Sequence, residues 1–191
     1  MPDADRFRIV YAASTREAAI GESIARFRLS LAPTLELRSM DAATVPKVAT
    51  GTVSTSWRSS RQMGEASIDG VLRFVDISAH RTLTYLRSAL ADVAFDLGIV
   101  DVDLSAVTGP QRQFTRACAL HLYDLRSDVG EPRFAGIRYP SRLSASWECW
   151  AIYADRLRSV ETLPRPISAD DPDLRAAAAH LGLSVEGAST A

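Results

Sequence analysis

A strand that passes directly into a helix near the start of the chain is the feature that most restricts its fold. The segment RFRIVYAA, residues 6–13, is rich in residues that favour β-strands. Ser14 follows, with Glu17 three positions later, and this S-x-x-E spacing is a capping box that favours the start of a helix. The sequence therefore predicts a strand at residues 7–13 that turns at once into a helix.

On this helix, apolar and polar positions separate by face. Ile20, Ile24 and Phe27 share one side at helical spacing, whereas Glu22 projects near the opposite side. The neighbours of Glu22 there are mostly small and leave space beside its carboxylate; they are Ala18, Ala25 and Leu29. Taken alone, Glu22 is interpreted as a solvated helix residue, and Tyr11 as a core aromatic at the end of a strand.

Strands and helices continue to interleave along the chain. Prolines, Gly51 and a polar cluster interrupt residues 31–70, which predicts short strands joined by loops. Further on, the sequence predicts strands at 71–77, 133–140 and 148–156, and helices at 81–97 (Ser78 as cap, Gly98 as stop), 110–125 (Pro110 in the first turn) and 171–181 (Gly182 as stop). Because βαβ units do not repeat strictly, we expect an α+β fold, a mixed sheet with flanking helices. One domain is expected over residues 1–183, with a flexible C-terminal tail at 184–191.

Composition excludes several classes of protein. The 191 residues include 22 basic and 23 acidic side chains, so the net charge of -1 gives no global field for nucleic acid or an anionic membrane. Two cysteines are too few for a disulfide framework, and the opening MPDADRFR has no apolar stretch for a signal sequence. The apolar runs fall well short of the roughly 20 residues of a membrane span. We therefore expect a reduced, soluble, cytoplasmic protein that contacts neither membrane nor nucleic acid directly.

Standard catalytic and metal-binding motifs are missing from the sequence. It contains no G-x-G-x-x-G, G-x-x-x-x-G-K-[ST], H-E-x-x-H, C-x-x-C or G-x-S-x-G. Its histidines, His80, His121 and His180, are scattered. Cys118 stands three residues before His121 on a predicted helix, but no second ligand pair accompanies it. We expect packing and surface roles for this pair, and no metal site.

Arginines leave two interpretations open. Trp57, Arg58 and Arg61 lie among serines, and guanidinium groups match phosphate oxygens, so this cluster fits either a phosphate site or a solvated loop, with the loop favoured. The same ambiguity applies to three further arginines, Arg126, Arg133 and Arg138. Ser141, between Pro140 and Arg142 at the end of a predicted strand, is by itself most typical of a turn.

Four segments together are similar to one known family. FRIVYAASTREAAIGES has a strand ending in Tyr11 and a glutamate, Glu22, eleven residues later; FAGIRYPSRLSASWECWAIYADR contains a G-I-x-Y-x-S-R element followed by a strand. Between them lie DISAHRTLTYLRSALADVAFDLGI and DLSAVTGPQRQFTRACALHLYD. In this order the segments resemble the RES domain family, named for its Arg, Glu and Ser signature positions. The resemblance covers residues 7–157.

The resemblance implies a fold related to ADP-ribosyltransferase toxins and an activity that consumes NAD⁺. Many RES proteins are toxins of bacterial toxin–antitoxin pairs, held inactive by a helix-turn-helix antitoxin. Carried over by position, Tyr11 would contact the nicotinamide riboside, Glu22 would be the essential carboxylate and Ser141 would hydrogen-bond the dinucleotide. Arg142 would help to hold phosphate. NAD⁺ would then be the substrate of an enzyme without a cofactor, and phosphate a candidate co-substrate.

The chemistry of NAD⁺ cleavage suits these residue types. Breaking the nicotinamide–ribose bond builds positive charge on the ribose in an oxocarbenium-like state, which a preplaced carboxylate such as Glu22 stabilises when it is ionised. The aromatic ring of Tyr11 offers flat apolar area to the charged pyridinium ring. Water or phosphate would attack in an NAD⁺ glycohydrolase or phosphorylase. The alternatives are a protein ADP-ribosyltransferase and an inactive RES-like module that binds an antitoxin.

One signature position departs from the family. The family's Arg belongs upstream of the Tyr strand, ahead of Phe7, and the nearest arginines here are Arg6 and Arg8. Either the chain is an N-terminally shortened form of a longer protein, or it is a variant that has lost part of the pocket. The agreement over residues 7–157 favours the first. A missing strand would expose a sheet edge, which promotes association, so a homo-oligomer is also an expected partner state.

Overall fold

The chain forms an α+β fold, a mixed sheet with flanking helices, as the sequence predicts. A computed structural model describes residues 7–28, 51–68, 72–157 and 160–189. The chain divides into two compact units, the first formed by residues 1–14 and 67–161 and the second by residues 15–66 and 162–191. A single domain over residues 1–183 stays a prediction.

The described elements follow the chain in this order: β1 (Ile9–Ala13), α1 (Arg16–Ile24), β2 (Thr52–Val53), α2 (Thr55–Ser59), β3 (Gln62–Ile68), β4 (Phe74–Asp76), α3 (His80–Ala89), α4 (Ala91–Asp96), α5 (Leu104–Thr108), α6 (Arg112–Asp124), β5 (Gly136–Pro140), β6 (Glu148–Tyr153), β7 (Val160–Pro166), α7 (Pro172–His180) and β8 (Ser184–Val185). The predicted strands 71–77, 133–140 and 148–156 correspond to β4, β5 and β6. Within the described residues, no helix is long and apolar enough to cross a lipid bilayer.

The first unit is built on a four-stranded sheet with the order β1-β6-β5-β4. β4 and β5 run parallel, whereas β6 is antiparallel to both β5 and β1, so the sheet is mixed. Its register places Tyr11 of β1 opposite Ala151 of β6, and Ala151 opposite Ile137 of β5. Ile137 in turn lies opposite Val75 of β4.

One face of this sheet packs against helices to form the core of the first unit. Val75, Ile137 and Ala151 lie in register on that face, and each is buried. The helices and the residue between α3 and α4 contribute further buried side chains; they are Leu86, Leu90, Val107, Phe114, Cys118 and Leu122. Removal of this apolar surface from water is the main stabilising contribution here. The helix predicted over residues 110–125 is found as α6, but it begins at Arg112 after the N-cap Gln111, so Pro110 precedes the helix and is not in its first turn as predicted.

The helix predicted over residues 81–97 is interrupted at Leu90. This residue adopts φ −121° and ψ 26°, outside the helical region, and separates α3 from α4. Its side chain is buried, so core packing outweighs helical continuity at this point. Gly98 ends α4 with a positive φ of 67°, as predicted. Ser78 does not cap α3, because its side chain instead hydrogen-bonds Asp76 and the N-cap is Ala79.

The second unit joins α1 and α7 with short strands. The two helices pack against each other through buried side chains, which are Ala18, Ile20 and Ile24 on α1 and Leu174, Ala177 and Ala178 on α7. β2 pairs in parallel with β8, and β3 pairs with β7. At the start of α1, Arg16 donates hydrogen bonds to Asp171 over 2.7 Å and to Asp173 over 2.9 Å, which ties the N-terminal ends of both helices together.

Two local expectations in the second unit differ from the structure. The capping residue of α1 is Thr15, whose hydroxyl accepts a hydrogen bond from the Ala18 amide, so the prediction of Ser14 was one residue early. In the segment expected to be a flexible tail, β8 forms, and the Glu186 carboxylate accepts a hydrogen bond from the amide of Thr55. α7 ends before Gly182, as predicted.

Candidate functional site

Tyr11 lies in the middle of β1, an edge strand of the four-stranded sheet. Its side chain is 71% exposed, and the neighbouring Val10 is 46% exposed. The interpretation of Tyr11 as a buried core aromatic is therefore wrong. An exposed aromatic ring on an edge strand has an apolar surface available to a ligand.

Ser141 and Arg142 follow directly after β5. Ser141 is 8% exposed; its amide donates to the Trp147 carbonyl, and its hydroxyl accepts a hydrogen bond from the Leu143 amide. The hydroxyl therefore shapes the turn that leads away from the strand, as the simplest interpretation of the sequence predicted. Arg142, the next residue, is exposed.

The register of the sheet relates Tyr11 to Ser141. Tyr11 pairs with Ala151 of β6, and Ala151 pairs with Ile137 of β5, so Tyr11 and Ile137 lie side by side in the sheet, two strands apart. Ser141 follows Ile137 by four residues. The amide of Ser141 continues the pairing with β6, so by strand alternation Ser141 falls on the same face as Ile137 and Tyr11. Four residues correspond to about 13 Å along a strand and two steps to about 10 Å across it. A ligand that contacts both side chains must be elongated.

Glu22 belongs to the second unit, where it lies in the last half of α1. Its side chain is exposed, whereas Ile20 and Ile24 on the same helix are fully buried. The predicted burial of Ile20 and Ile24 and exposure of Glu22 are confirmed, but Ala18, which was placed beside Glu22, is fully buried. Phe27 lies beyond α1, in the 3-10 turn Ala25–Phe27, and Leu29 lies outside the described residues. Glu22 therefore presents its carboxylate on the polar side of α1, in a unit described separately from the one that holds Tyr11 and Ser141.

A row of polar side chains crosses the opposite face of the sheet, and sequence reasoning did not identify it as a group. Ser14, immediately after β1, donates a hydrogen bond from its hydroxyl to Glu148 Oε2 over 2.5 Å. The same hydroxyl accepts a hydrogen bond from Trp150 Nε1 over 2.9 Å. Arg138 Nε donates to the other carboxylate oxygen of Glu148 over 2.5 Å.

The row continues to the far edge of the sheet. Arg138 Nη1 donates to Asp76 Oδ2 over 2.7 Å, and Asp76 Oδ1 accepts hydrogen bonds from both the amide and the hydroxyl of Ser78. One guanidinium thus links carboxylates from β4 and β6. We refer to Ser14, Asp76, Arg138, Glu148 and Trp150 as the polar row, which spans all four strands of the sheet.

Hydrogen bonds set the charge state of the polar row. The bond from Ser14, followed by that from Arg138, holds the pKa of Glu148 below its usual value. At Asp76, burial raises the pKa, but the hydrogen bonds from Ser78 and the charge of Arg138 outweigh it and leave the pKa lowered. The hydrogen bond to Glu148 also raises the pKa of Arg138. Both carboxylates are therefore ionised near neutral pH, and the row carries one net negative charge.

The arginine cluster near Trp57 is not a solvated loop. Trp57 and Arg58 lie on α2 and are 5% and 9% exposed. The guanidinium of Arg58 donates to the Thr55 hydroxyl over 3.0 Å and to the Glu186 carbonyl over 2.7 Å. Arg58 therefore has a packing role, whereas exposed Arg61 lies over the ring of Trp57. No periodic pattern in the sequence predicts that Arg58, a charged residue among serines, is buried.

Cys118 and His121 have separate partners in the described structure. Cys118 is buried in the core, and that burial raises the pKa of its thiol to about 12. His121 Nε2 lies 2.8 Å from the hydroxyl of Tyr85, whose side chain is 43% exposed. Among the described residues, no group of three or more His, Cys, Asp or Glu side chains is arranged to hold a metal ion.

A comparison with known protein families shows to which family the chain belongs. The family model described as RES domain matches residues 2–177. The chain belongs to the RES domain family. The matched part of this RES domain contains β1, α1, β5 and β6, and with them Tyr11, Glu22, Ser141 and Arg142. Comparisons with curated proteins and with solved structures give no match.

Two arginines were named as the nearest to the family's upstream signature position. Arg6 lies outside the described residues. Arg8 is exposed just before β1, and its backbone carbonyl accepts a hydrogen bond from the amide of Ala154. The roles of Tyr11, Glu22, Ser141 and Arg142 stay predictions.

Proposed function

We propose that this RES domain cleaves NAD⁺ and acts as the toxin of a toxin–antitoxin pair. The observation that carries the proposal is the match to the RES domain family over residues 2–177, a range that contains every residue assigned a role. Glu22 is the essential carboxylate, Tyr11 contacts the nicotinamide riboside, and Ser141 hydrogen-bonds the dinucleotide. Arg142 binds phosphate, because an exposed guanidinium pairs well with a phosphate oxygen.

The reaction separates nicotinamide from the ribose. The bond between C1 of the ribose and the pyridinium nitrogen breaks, and the nitrogen keeps the electron pair, so neutral nicotinamide leaves. The carboxylate of Glu22 stabilises the positive charge that develops on the ribose. A water oxygen then bonds to C1 and loses a proton, which gives ADP-ribose; phosphate in place of water gives ADP-ribose 1″-phosphate.

The proposed binding mode requires a substrate that reaches from the edge strand β1 to the turn after β5, past the side chains of Ile137 and Ala151 that are buried on the same face. Tyr11 and Ser141 lie on one face of the sheet, separated by about 13 Å along the strands and about 10 Å across them. A molecule that contacts both must be elongated, as NAD⁺ is. The 71% exposure of Tyr11 also favours ligand binding, because an aromatic side chain of this size gains by covering its apolar area.

Release of nicotinamide from NAD⁺ by the purified protein tests the proposal. We expect turnover in the unaltered protein and a loss of about 100-fold or more in Glu22→Gln, since this change removes the charge that stabilises the transition state. The control is Glu65→Gln, which makes the same change at an exposed carboxylate of β3 and should leave turnover unaltered. Equal turnover in Glu22→Gln and the unaltered protein would refute the role of Glu22.

The roles of Tyr11 and Ser141 are tested on the same assay. Tyr11→Phe retains the aromatic face and should retain most of the activity, whereas Tyr11→Ala should raise KM. Ser141→Ala should also raise KM, since it removes a hydrogen bond to the bound substrate. Unchanged KM in both alanine variants would place the dinucleotide elsewhere.

The acceptor of the ADP-ribose group and the antitoxin partner are also proposals, and each has its own test. ³²P-labelled NAD⁺ distinguishes the acceptors: label in free ADP-ribose or ADP-ribose 1″-phosphate identifies water or phosphate, and label on protein identifies an ADP-ribosyltransferase. Expression in bacteria should lower cellular NAD⁺ and arrest growth, and a helix-turn-helix antitoxin should reverse both. Growth arrest by Glu22→Gln at the rate of the unaltered protein would separate toxicity from NAD⁺ cleavage.

A further inference from the structure

A cleft of about 460 Å³ opens at one end of the four-stranded sheet, and Ser141 lies at the other end. It is lined by residues that precede β4 and β5 and by residues that follow β6, among them Leu72, Arg73, Phe134 and Arg156. Because β4 and β5 are parallel, the segments before them meet at one end of the sheet, and Ser141, which follows β5, lies at the other. The volume of the cleft falls in the range typical of small-molecule sites.

The cleft has an excess of positive charge. Its lining includes three arginines, Arg73, Arg133 and Arg156, and two carboxylates, Glu131 and Asp155. Asp155 accepts a hydrogen bond from the Tyr123 hydroxyl over 2.8 Å, so it is turned to a neutral partner and not to an arginine. Over the described ranges, none of the three arginines forms an ion pair.

Arg156 is the most restricted of the three arginines. Its two terminal nitrogens donate to the carbonyls of Phe134 and Tyr123, and its guanidinium lies 4.2 Å from the ring centroid of Tyr123 and 4.8 Å from that of Tyr153. Its Nε is buried and has no hydrogen-bond partner among the described residues. The charge is therefore held in a fixed position by neutral groups, and in the described part of the chain it forms no ion pair with a carboxylate.

Two further features of the lining favour an anion. The hydroxyl of Ser127 is buried without a hydrogen-bond partner in the described structure, so it has a donor to offer. Arg73 and Arg133 are exposed, and Arg133 lies 5.6 Å from the ring centroid of Phe134. Guanidinium groups on a partly apolar wall are suited to a phosphate attached to an organic group.

We propose that this cleft binds the phosphate group of a small phosphomonoester, at a site separate from the one assigned to NAD⁺. Arg73 and Arg133 pair with the phosphate oxygens, and the fixed charge of Arg156 attracts the anion. The organic part of the ligand covers Leu72 and Phe134. The site is independent of the NAD⁺-cleaving function and of the residues assigned to it.

Phenyl phosphate is the probe, and phenol at the same ionic strength is the control ligand. In ¹H–¹⁵N spectra of the unaltered protein, phenyl phosphate should shift the Nε–H signal of Arg156 and the amide signals of residues 131–135 in a saturable way, and phenol should not. Arg73→Gln/Arg133→Gln should weaken binding about tenfold or more, because it removes two charge-assisted partners. Arg112→Gln/Arg116→Gln makes the same charge change at exposed positions of α6 outside the cleft and should not alter the affinity.

Two results would overturn the proposal. The first is unaltered affinity in Arg73→Gln/Arg133→Gln, or in Arg133→Gln alone if the double variant does not fold. The second is saturable shifts confined to the Ser141 turn and abolished by Ser141→Ala, which would place the phosphate at the proposed NAD⁺ site. Nicotinamide release from NAD⁺ is measured separately, so failure of this proposal leaves the other intact.

Discussion

Ser14 donates its hydroxyl proton to Glu148 over 2.5 Å, a bond between residues 134 positions apart that joins the end of β1 to the start of β6. The backbone repeats the connection, because the Ser14 amide donates to the Glu148 carbonyl over 3.0 Å. Trp150 adds a third bond by donating to the Ser14 hydroxyl. Ser14 is therefore a residue of the sheet, and the cap of α1 is left to Thr15.

Ser14→Ala should destabilise the protein by about 0.5–1.5 kcal/mol, the typical net contribution of one hydrogen bond. It should also bring the pKa of Glu148 closer to its usual value, because the bond from Ser14 is the largest cause of the lowering. Urea denaturation measures the first effect, and a carboxyl NMR titration measures the second.

Thr15→Ala is the matched comparison for Ser14→Ala. It removes the cap of α1 and should cost about 1 kcal/mol while leaving the pKa of Glu148 as it is. If Ser14→Ala reduced helicity and left the Glu148 titration unchanged, the capping-box interpretation of the sequence would be right after all.

Local patterns in the sequence predict most of the fold. The β-rich segment before Ser14, the apolar spacing of α6 and the positive φ of Gly98 and Gly182 depend on neighbouring residues, and these elements are found as expected. Long-range contacts decide the rest. The sequence is equally consistent with Ser14 as the cap of α1 and with Ser14 as the continuation of β1. The hydrogen-bonding partner that decides between these two roles lies 134 residues away.

The candidate site shows the same limit. Glu22 and Ser141 were predicted as site residues from motif spacing, and their positions on α1 and after β5 agree with the predicted elements. The polar row was missed because its members come from three strands and from the residue that follows β1, and each is unremarkable alone. The one usable signal is alternation: Arg138, Glu148 and Trp150 occupy positions of one parity on two strands whose other positions are apolar.

The polar row should make the free energy of unfolding decrease at acid pH. The folded pKa values of Asp76 and Glu148 are lowered, so their contribution is fully present above the unfolded values, near 3.8 and 4.5, and is lost as pH falls through the lower folded values. We expect the free energy of unfolding to decrease from about pH 5 downward and to decrease less steeply in Asp76→Asn/Glu148→Gln.

Urea denaturation at a series of pH values measures this dependence. The matched control is Asp92→Asn/Glu65→Gln, which replaces one Asp and one Glu at exposed positions outside the row and should keep the slope of the unaltered protein. Identical slopes for the two double variants would mean that the row does not contribute to the acid transition.

Gly136→Ala should destabilise the centre of the sheet. A Cβ atom at this position would lie 2.4 Å from the Ala151 carbonyl oxygen and 3.0 Å from Cε1 of Phe74, so the strands would have to move apart. Overpacking of this kind costs about 1–3 kcal/mol, and thermal denaturation measures it.

The control for Gly136→Ala is a glycine in open space. Gly130 has a positive φ of 81°, and a Cβ atom at this position would meet no other part of the described chain within 4 Å. Asn adopts a positive φ more readily than most other residues, so Gly130→Asn should lose stability through backbone strain alone and lose less than Gly136→Ala. Equal stability of Gly136→Ala and the unaltered protein would show that β5 and β6 can separate without loss.

Cys118 should react with iodoacetamide only when the protein unfolds. Its side chain is 2% exposed and its pKa is raised to about 12 by burial, so at pH 8 only about one thiol in ten thousand is ionised, and the thiolate is the reactive form. Mass spectrometry after timed labelling should show Cys118 unmodified in buffer and modified in urea. Ser88→Cys adds a thiol at an exposed position of α3 and should be labelled at once in both conditions. Labelling of Cys118 as fast as that of the added thiol, in the absence of urea, would mean that α6 opens frequently in the folded protein, because no ionised thiol is accessible while its core packing is intact.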